Sequence, residues 1–87
     1  LLDVTGRVER DQNSVLIFWD ADQKVGTVQL YRAKGEEKLS LYKTIDVAEG
    51  QFEDKQLILN NEYRYRLRPV LLNGIKGKFS REIKLSY

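Results

Sequence analysis

Apolar and polar positions alternate with a period of two along most of this chain. The clearest run is Glu62-Tyr63-Arg64-Tyr65-Arg66-Leu67-Arg68, where Tyr63, Tyr65 and Leu67 share one face and Arg64, Arg66 and Arg68 the other. Successive side chains of an extended strand point to opposite faces, so this pattern predicts a half-buried strand. Residues 27–32 alternate in the same way, with Val28 and Leu30 on one face, and Ile83, Leu85 and Tyr87 alternate along a final strand. Val15-Leu16-Ile17-Phe18-Trp19 is a β-rich run entered from the turn cluster Asp11-Gln12-Asn13-Ser14, which implies a hairpin. Residues 41–47 are β-rich, and Gln51-Phe52-Glu53-Asp54 is long enough only for an edge piece. Lys34-Gly35-Glu36-Glu37, Glu49-Gly50 and Asn73-Gly74 separate these runs, the last being a strong hairpin signal. No helical period persists. About seven short strands without helices predict an all-β, two-sheet antiparallel sandwich or a small barrel, and one alternation per strand favours two sheets.

Composition narrows this picture. At 87 residues, residues 1–87 form a single domain with room for one modest core, and 41% hydrophobic with 32% charged residues is ordinary globular composition. The five-residue apolar run ending at Trp19 is far shorter than the roughly 18 residues that span a bilayer, so no membrane insertion is expected. The net charge of +2, from 15 basic and 13 acidic residues, is too balanced for the field of a dedicated nucleic-acid binder. The start, Leu1-Leu2-Asp3-Val4, has neither an initiator Met nor the regions of a signal peptide, which suggests a fragment of a larger chain.

Histidine and cysteine are both absent, which removes Ser-His-Asp and Cys-His catalysis, disulfides and the usual zinc ligand sets. Catalysis would have to rest on carboxylate pairs: Asp20 with Asp22, Glu36 with Glu37, or Glu53 with Asp54. All three are expected at turns, where acidic residues are favoured for their local hydrogen bonding. Asp20-Ala21-Asp22 does not continue as a calcium loop, because Lys24 falls at the next ligand position and Val25 where Gly is needed. No phosphate-binding or dinucleotide fingerprint occurs, so neither an enzyme nor a cofactor is expected.

Three segments together resemble a fibronectin type III domain. Ser14-Val15-Leu16-Ile17-Phe18-Trp19 is similar to the family's second strand with its core tryptophan, and Val28-Gln29-Leu30-Tyr31-Arg32 to its third. Phe52-Glu53-Asp54-Lys55-Gln56-Leu57, running into Asn60-Asn61-Glu62-Tyr63, keeps the spacing of the tyrosine corner, with Leu57 six residues before Tyr63. The resemblance covers nearly the whole chain and implies an immunoglobulin-like sandwich with Trp19, Leu57 and Tyr63 as structural residues, the Tyr63 hydroxyl bonding an upstream backbone group. Two departures stand out. Leu59-Asn60 occupies the place of the family's usual Pro-Gly, and Pro69 would remove a ladder donor from a central strand, ending or bulging its pairing. The Arg-Gly-Asp adhesion tripeptide is absent, the corresponding loop reading Leu72-Asn73-Gly74-Ile75-Lys76-Gly77.

Two surfaces are candidates for function. Arg64, Arg66 and Arg68 form an outward row, with Lys84 expected on the adjacent strand and Tyr31 on the same face; such a face suits an acidic glycan, a phosphate or an acidic protein surface. The plainer alternative is that these arginines pair with Glu82 and similar carboxylates as a solvated face. Leu16 and Phe18 point away from the core if Val15, Ile17 and Trp19 point in, and could form a docking patch; cover by long polar side chains is the alternative. The resemblance implies a non-catalytic interaction or spacer module of a modular protein, in an extracellular, periplasmic or cell-surface setting, whose partners are neighbouring domains or another protein. Glycan or polyanion recognition by the arginine row is the competing reading. The Tyr31-Arg32 dipeptide is also similar to bacterial members that accompany carbohydrate-active enzymes.

Overall fold

The computed structural model describes residues 2–87. Among them, β1 (Leu2–Glu9), β2 (Ser14–Ala21) and β5 (Gln51–Asp54) form one sheet in the order β1-β2-β5. β3 (Val25–Lys34), β4 (Ser40–Asp46), β6 (Glu62–Leu71) and β7 (Ile83–Ser86) form the other in the order β4-β3-β6-β7, and every pairing is antiparallel. Single 3-10 turns at Arg10–Gln12 and Val47–Glu49 are the helical pieces among the described residues.

The alternation sorts into an inner and an outer face on each sheet. Val4, Val15, Ile17 and Trp19 from the first sheet meet Val28, Leu30, Tyr63, Tyr65, Leu67 and Ile83 from the second in one core. Fully burying an aliphatic side chain such as Ile17, Leu30 or Leu67 contributes about 1.5–3 kcal/mol, so this face drives the sheets together. Trp19 also satisfies its ring donor there, Nε1 donating to the Val47 carbonyl at 3.0 Å. β1 is the strand that the Asp11–Ser14 turn cluster implies only as a hairpin partner. It pairs along its full length with β2, from Leu2 with Ala21 to Glu9 with Ser14. Gly6 permits β1 to approach β7, because a Cβ there would lie 3.0 Å from both Ile17 Cδ1 and Ile83 Cγ2.

The corner before β6 is built as the resemblance implies. Tyr63 is buried, and its hydroxyl accepts from the Ile58 N–H at 2.7 Å while Leu57 packs against the core. Asn60 supplies the left-handed backbone, at φ 66°, that glycine often provides in such a loop. The neighbouring Asn61 side chain donates to the Ile58 and Leu59 carbonyls.

β6 runs through Pro69 to Leu71, three residues beyond the alternating run that ends at Arg68. The side on which the proline lacks its donor explains this. Leu67 and Pro69 turn their carbonyls to Ser80 N and Gly77 N at 2.7 and 2.8 Å, away from β3. Regular β6–β7 pairing covers only residues 62–65, opposite 83–86, so the missing N–H faces a stretch where no regular ladder exists. On its other side β6 stays paired with β3, Pro69 lying opposite Val28, and the register shifts only between Val25 and Thr27.

Candidate functional site

β6 divides two clusters of charged and aromatic side chains, one between the sheets and one on the outer face. The inner cluster centres on Asp54, the last residue of β5, which is buried. Its carboxylate accepts from Arg32 Nη1 and Tyr65 Oη, both at 2.7 Å, and from the Gln56 N–H at 3.0 Å. Tyr42 Oη lies 3.3 Å from Asp54 Oδ1 and 3.2 Å from Gln56 Oε1. The Arg32 guanidinium is stacked 4.0 Å from the Tyr42 ring centre and donates to the Gln56 carbonyl at 3.0 Å.

A buried carboxylate is tolerated only when paired and hydrogen-bonded, and here both conditions hold. Burial, followed by the hydrogen bond to Asp54, pushes the Tyr65 hydroxyl pKa well above its ordinary value. Burial and the Asp54 charge raise that of Tyr42 as well. Burial opposes the charge on Arg32, but its hydrogen bond and attraction to Asp54 outweigh it and hold the guanidinium protonated. The cluster is a closed brace with no free acid or base.

Asp54 corrects the turn assigned to the Glu53-Asp54 pair. Both residues lie in β5, so neighbouring side chains leave on opposite faces: Asp54 enters the core, and Glu53 accepts from Ser14 Oγ at 2.8 Å. Asp20 likewise lies within β2, whereas Asp22 caps its turn by accepting from the Lys24 N–H at 2.9 Å. Among the described residues no three carboxylates group as metal ligands.

The outer face carries the arginine row, but the three residues have different fates. Arg64 Nε donates to the Gly35 carbonyl at 3.0 Å, Nη2 donates to the Glu37 carbonyl, and Nη1 pairs with Glu82 at 3.2 Å. It ties the β3–β4 turn and the approach to β7 onto β6. Arg68 donates to the Gly77 carbonyl at 3.1 Å and lies over the Phe79 ring at 5.1 Å. Arg66, opposite Tyr31 in the ladder, has no ion pair among the described residues, and its Nε is buried without a hydrogen-bond partner. Gln29 Oε1, two residues from Tyr31 on the same face, is also buried and unpartnered. Each such group costs about 1–3 kcal/mol relative to a satisfied one.

Arg66 lines an open groove of about 440 Å³ together with Tyr31, Glu37, Lys38, Leu39, Arg64 and Phe79. Phe79 stands edge-on to Tyr31, their ring centres 4.9 Å apart, and remains 42% exposed. Neither Phe79 nor Leu39 carries an alternating signal, because both lie in irregular connections that only the fold brings beside β6. Lys84 lies opposite Arg64 on β7 and reaches Glu62 at 3.9 Å, a loose surface pair.

Leu16 and Phe18 do face outward from β2, and both are half-buried. Arg7, opposite Leu16, lays its guanidinium 5.1 Å from the Phe18 ring. The most exposed large apolar side chains lie in loops instead. Leu72 is 75% exposed and Ile75 60% in the β6–β7 connection, while Ile58 and Leu59 project before β6. Adjacent aliphatics inside turn segments were the signal for them.

No protein-family model and no curated protein sequence matches the chain. Its architecture, three strands facing four with a tyrosine corner, is that of a fibronectin type III-like sandwich. It is similar to the Fn3-like protein from Clostridium thermocellum at a TM-score of 0.81 and 19% identity, covering 98% of this chain and 88% of that one. A myokine structure matches at a TM-score of 0.77 and 17% identity, over 97% of this chain and 90% of that one. Pectate lyase PelI from Erwinia chrysanthemi matches at 0.75 and 17% identity, over 93% of this chain but 27% of its own length. At these identities the likeness concerns the fold.

Proposed function

We propose that the domain is a non-catalytic spacer and docking module, linking or positioning neighbouring domains of a modular protein. The observation that carries this reading is the placement of exposed aliphatic pairs at both ends of a sandwich 40 Å long. Leu2 pairs with Ala21 beside the β2–β3 turn, and Leu72 and Ile75 project at that end. Tyr87 bonds to the Asn61 carbonyl at the opposite end, where Ile58 and Leu59 project. Chain entry and exit thus lie beside apolar surface suited to an adjoining domain. The pectate lyase match supports the reading, since there the same sandwich is about a quarter of a longer chain. The setting that goes with it is extracellular, periplasmic or cell-surface.

The test compares the natural chain containing this domain with variants Leu72→Lys, Ile58→Lys and the pair Leu16→Lys/Phe18→Lys, using small-angle scattering to follow the arrangement of domains. An end-docked module loosens with Leu72→Lys or Ile58→Lys and not with the β2 pair. If only the β2 pair loosens the arrangement, docking belongs to Leu16 and Phe18; if none does, the domain docks nothing and docking is removed from the proposal.

A second reading, recognition of an anionic ligand on the outer sheet, is favoured by Arg66. Among the described residues it is the one member of the row without a hydrogen-bond or ion-pair partner.

A further inference from the structure

The groove over Arg66 has a composition that narrows this second reading, and the inference that follows rests on it. We propose that the groove is a subsite for one uronic acid residue of an oligosaccharide, with its carboxylate on Arg66 and the apolar face of its ring on Phe79.

The guanidinium is the first reason. It is a planar fork that matches a carboxylate bidentately; on Arg66 the Nε is buried, and the fork has no hydrogen-bond or ion-pair partner among the described residues, leaving the two Nη groups to meet a carboxylate end-on, whereas Arg64 and Arg68 are tied to backbone carbonyls. One free fork fits one carboxylate. A densely sulfated chain would instead need several free cations side by side, and here the row supplies one. Lys38, on the groove wall and without an ion pair among the described residues, adds attraction. Glu37 lines the same groove and repels a second acidic group.

The aromatic wall is the second reason. Phe79 is held edge-on by Tyr31 and keeps much of its surface in solvent. A concave site of mainly apolar lining with a few fixed polar groups is the usual form of a small-ligand site. A uronate pyranose offers complementary chemistry: an apolar C–H face, a ring of hydroxyls that can donate to Glu37, and one carboxylate.

The test is an amide NMR titration of the 87-residue domain with three probes: β-1,4-linked triglucuronate, cellotriose, and sulfated cellotriose, which carries sulfate but no carboxylate. Cellotriose has the same backbone with each carboxylate replaced by CH2OH. Triglucuronate is expected to shift Tyr31, Arg66 and Phe79 and to bind several-fold more weakly as salt rises from about 0.05 to about 0.5 M. Cellotriose should leave these amides unmoved. Arg66→Ala should weaken triglucuronate binding about tenfold or more, with Arg66→Lys, which keeps the charge and loses the fork, only partly restoring it. Unshifted peaks elsewhere show that each variant is folded. Tighter binding of the sulfated cellotriose, or triglucuronate binding unaffected by either Arg66 variant, overturns the uronate subsite while leaving anion recognition standing. Silence with all three probes overturns both.

Discussion

The two sides of β6 use the same chemistry to opposite ends. Inside, Arg32 meets Asp54, Tyr65 and Tyr42 and every partner is satisfied. Outside, Arg66 lies beside Tyr31 and Phe79 with Nε unpartnered. The inner guanidinium is held because a buried carboxylate cannot be left alone, so removing either partner strands a charge in the core. The outer one lines an open groove and forms no ion pair among the described residues, although its Nε is buried. Residue type therefore says little about the role of an arginine in this fold; the side of the strand from which it is approached decides it.

The largest expected break in that contrast is Asp54→Ala. It removes the acceptor of Arg32 and Tyr65 together, and a loss of about 3–5 kcal/mol in denaturant unfolding is expected. A loss below about 1 kcal/mol would show that the brace is not structural.

Raising pH attacks the same cluster. Tyr65 and Tyr42 have pKa values raised above the ordinary 10.0, so the unfolded chain releases their protons first. Their contribution is full below that value and falls as pH climbs through the folded pKa values. Unfolding free energy should decline above about pH 10, and the decline should be shallower in Tyr65→Phe. A pH slope unchanged in that variant would place the alkaline sensitivity elsewhere.

Tyr63→Phe tests the corner at one remove. It leaves the Ile58 N–H without its acceptor, and a loss of about 1–3 kcal/mol is expected by thermal or chemical unfolding.

The sharpest internal comparison comes from the row itself. Arg64→Ala releases two backbone carbonyls and Glu82 and should cost about 1–2 kcal/mol. Arg66→Ala removes a buried Nε that has no partner, so it should cost no more than about 0.5 kcal/mol and can raise stability. Equal losses at the two positions would mean that the row is structurally uniform and Arg66 is not spare.

Lys84→Ala should have the smallest effect, within about 0.5 kcal/mol, since its pair with Glu62 is long and solvated.

Much of this was legible in the chain. Period-two alternation in residues 62–68 placed Tyr63, Tyr65 and Leu67 inside and the arginines outside, because a strand half buried on one face leaves no other arrangement. The resemblance to the fibronectin type III family, through Leu57 and Tyr63, implied the corner, and both residues belong to one local loop. The Asp54 brace was not legible. Its members come from β3, β4, β5 and β6, and the Glu53-Asp54 dipeptide looks the same whether it turns or enters the core. The extension of β6 through Pro69 was hidden for a similar reason: the cost of a missing donor depends on which neighbour it faces.

By itself the sequence determined the class of fold, the strand faces and the absence of histidine and cysteine chemistry, all properties of local period and composition. Tertiary structure alone decided which arginines are committed. Arg64, Arg66 and Arg68 are equivalent along the strand. They become different only when the turn at Gly35 and Glu37, the bend at Gly77 and the ring of Phe79 arrive from distant segments to bond two and leave the third beside an open groove. Hydrogen bonding is short-ranged and directional, so it is settled by what packs alongside rather than by position in the chain.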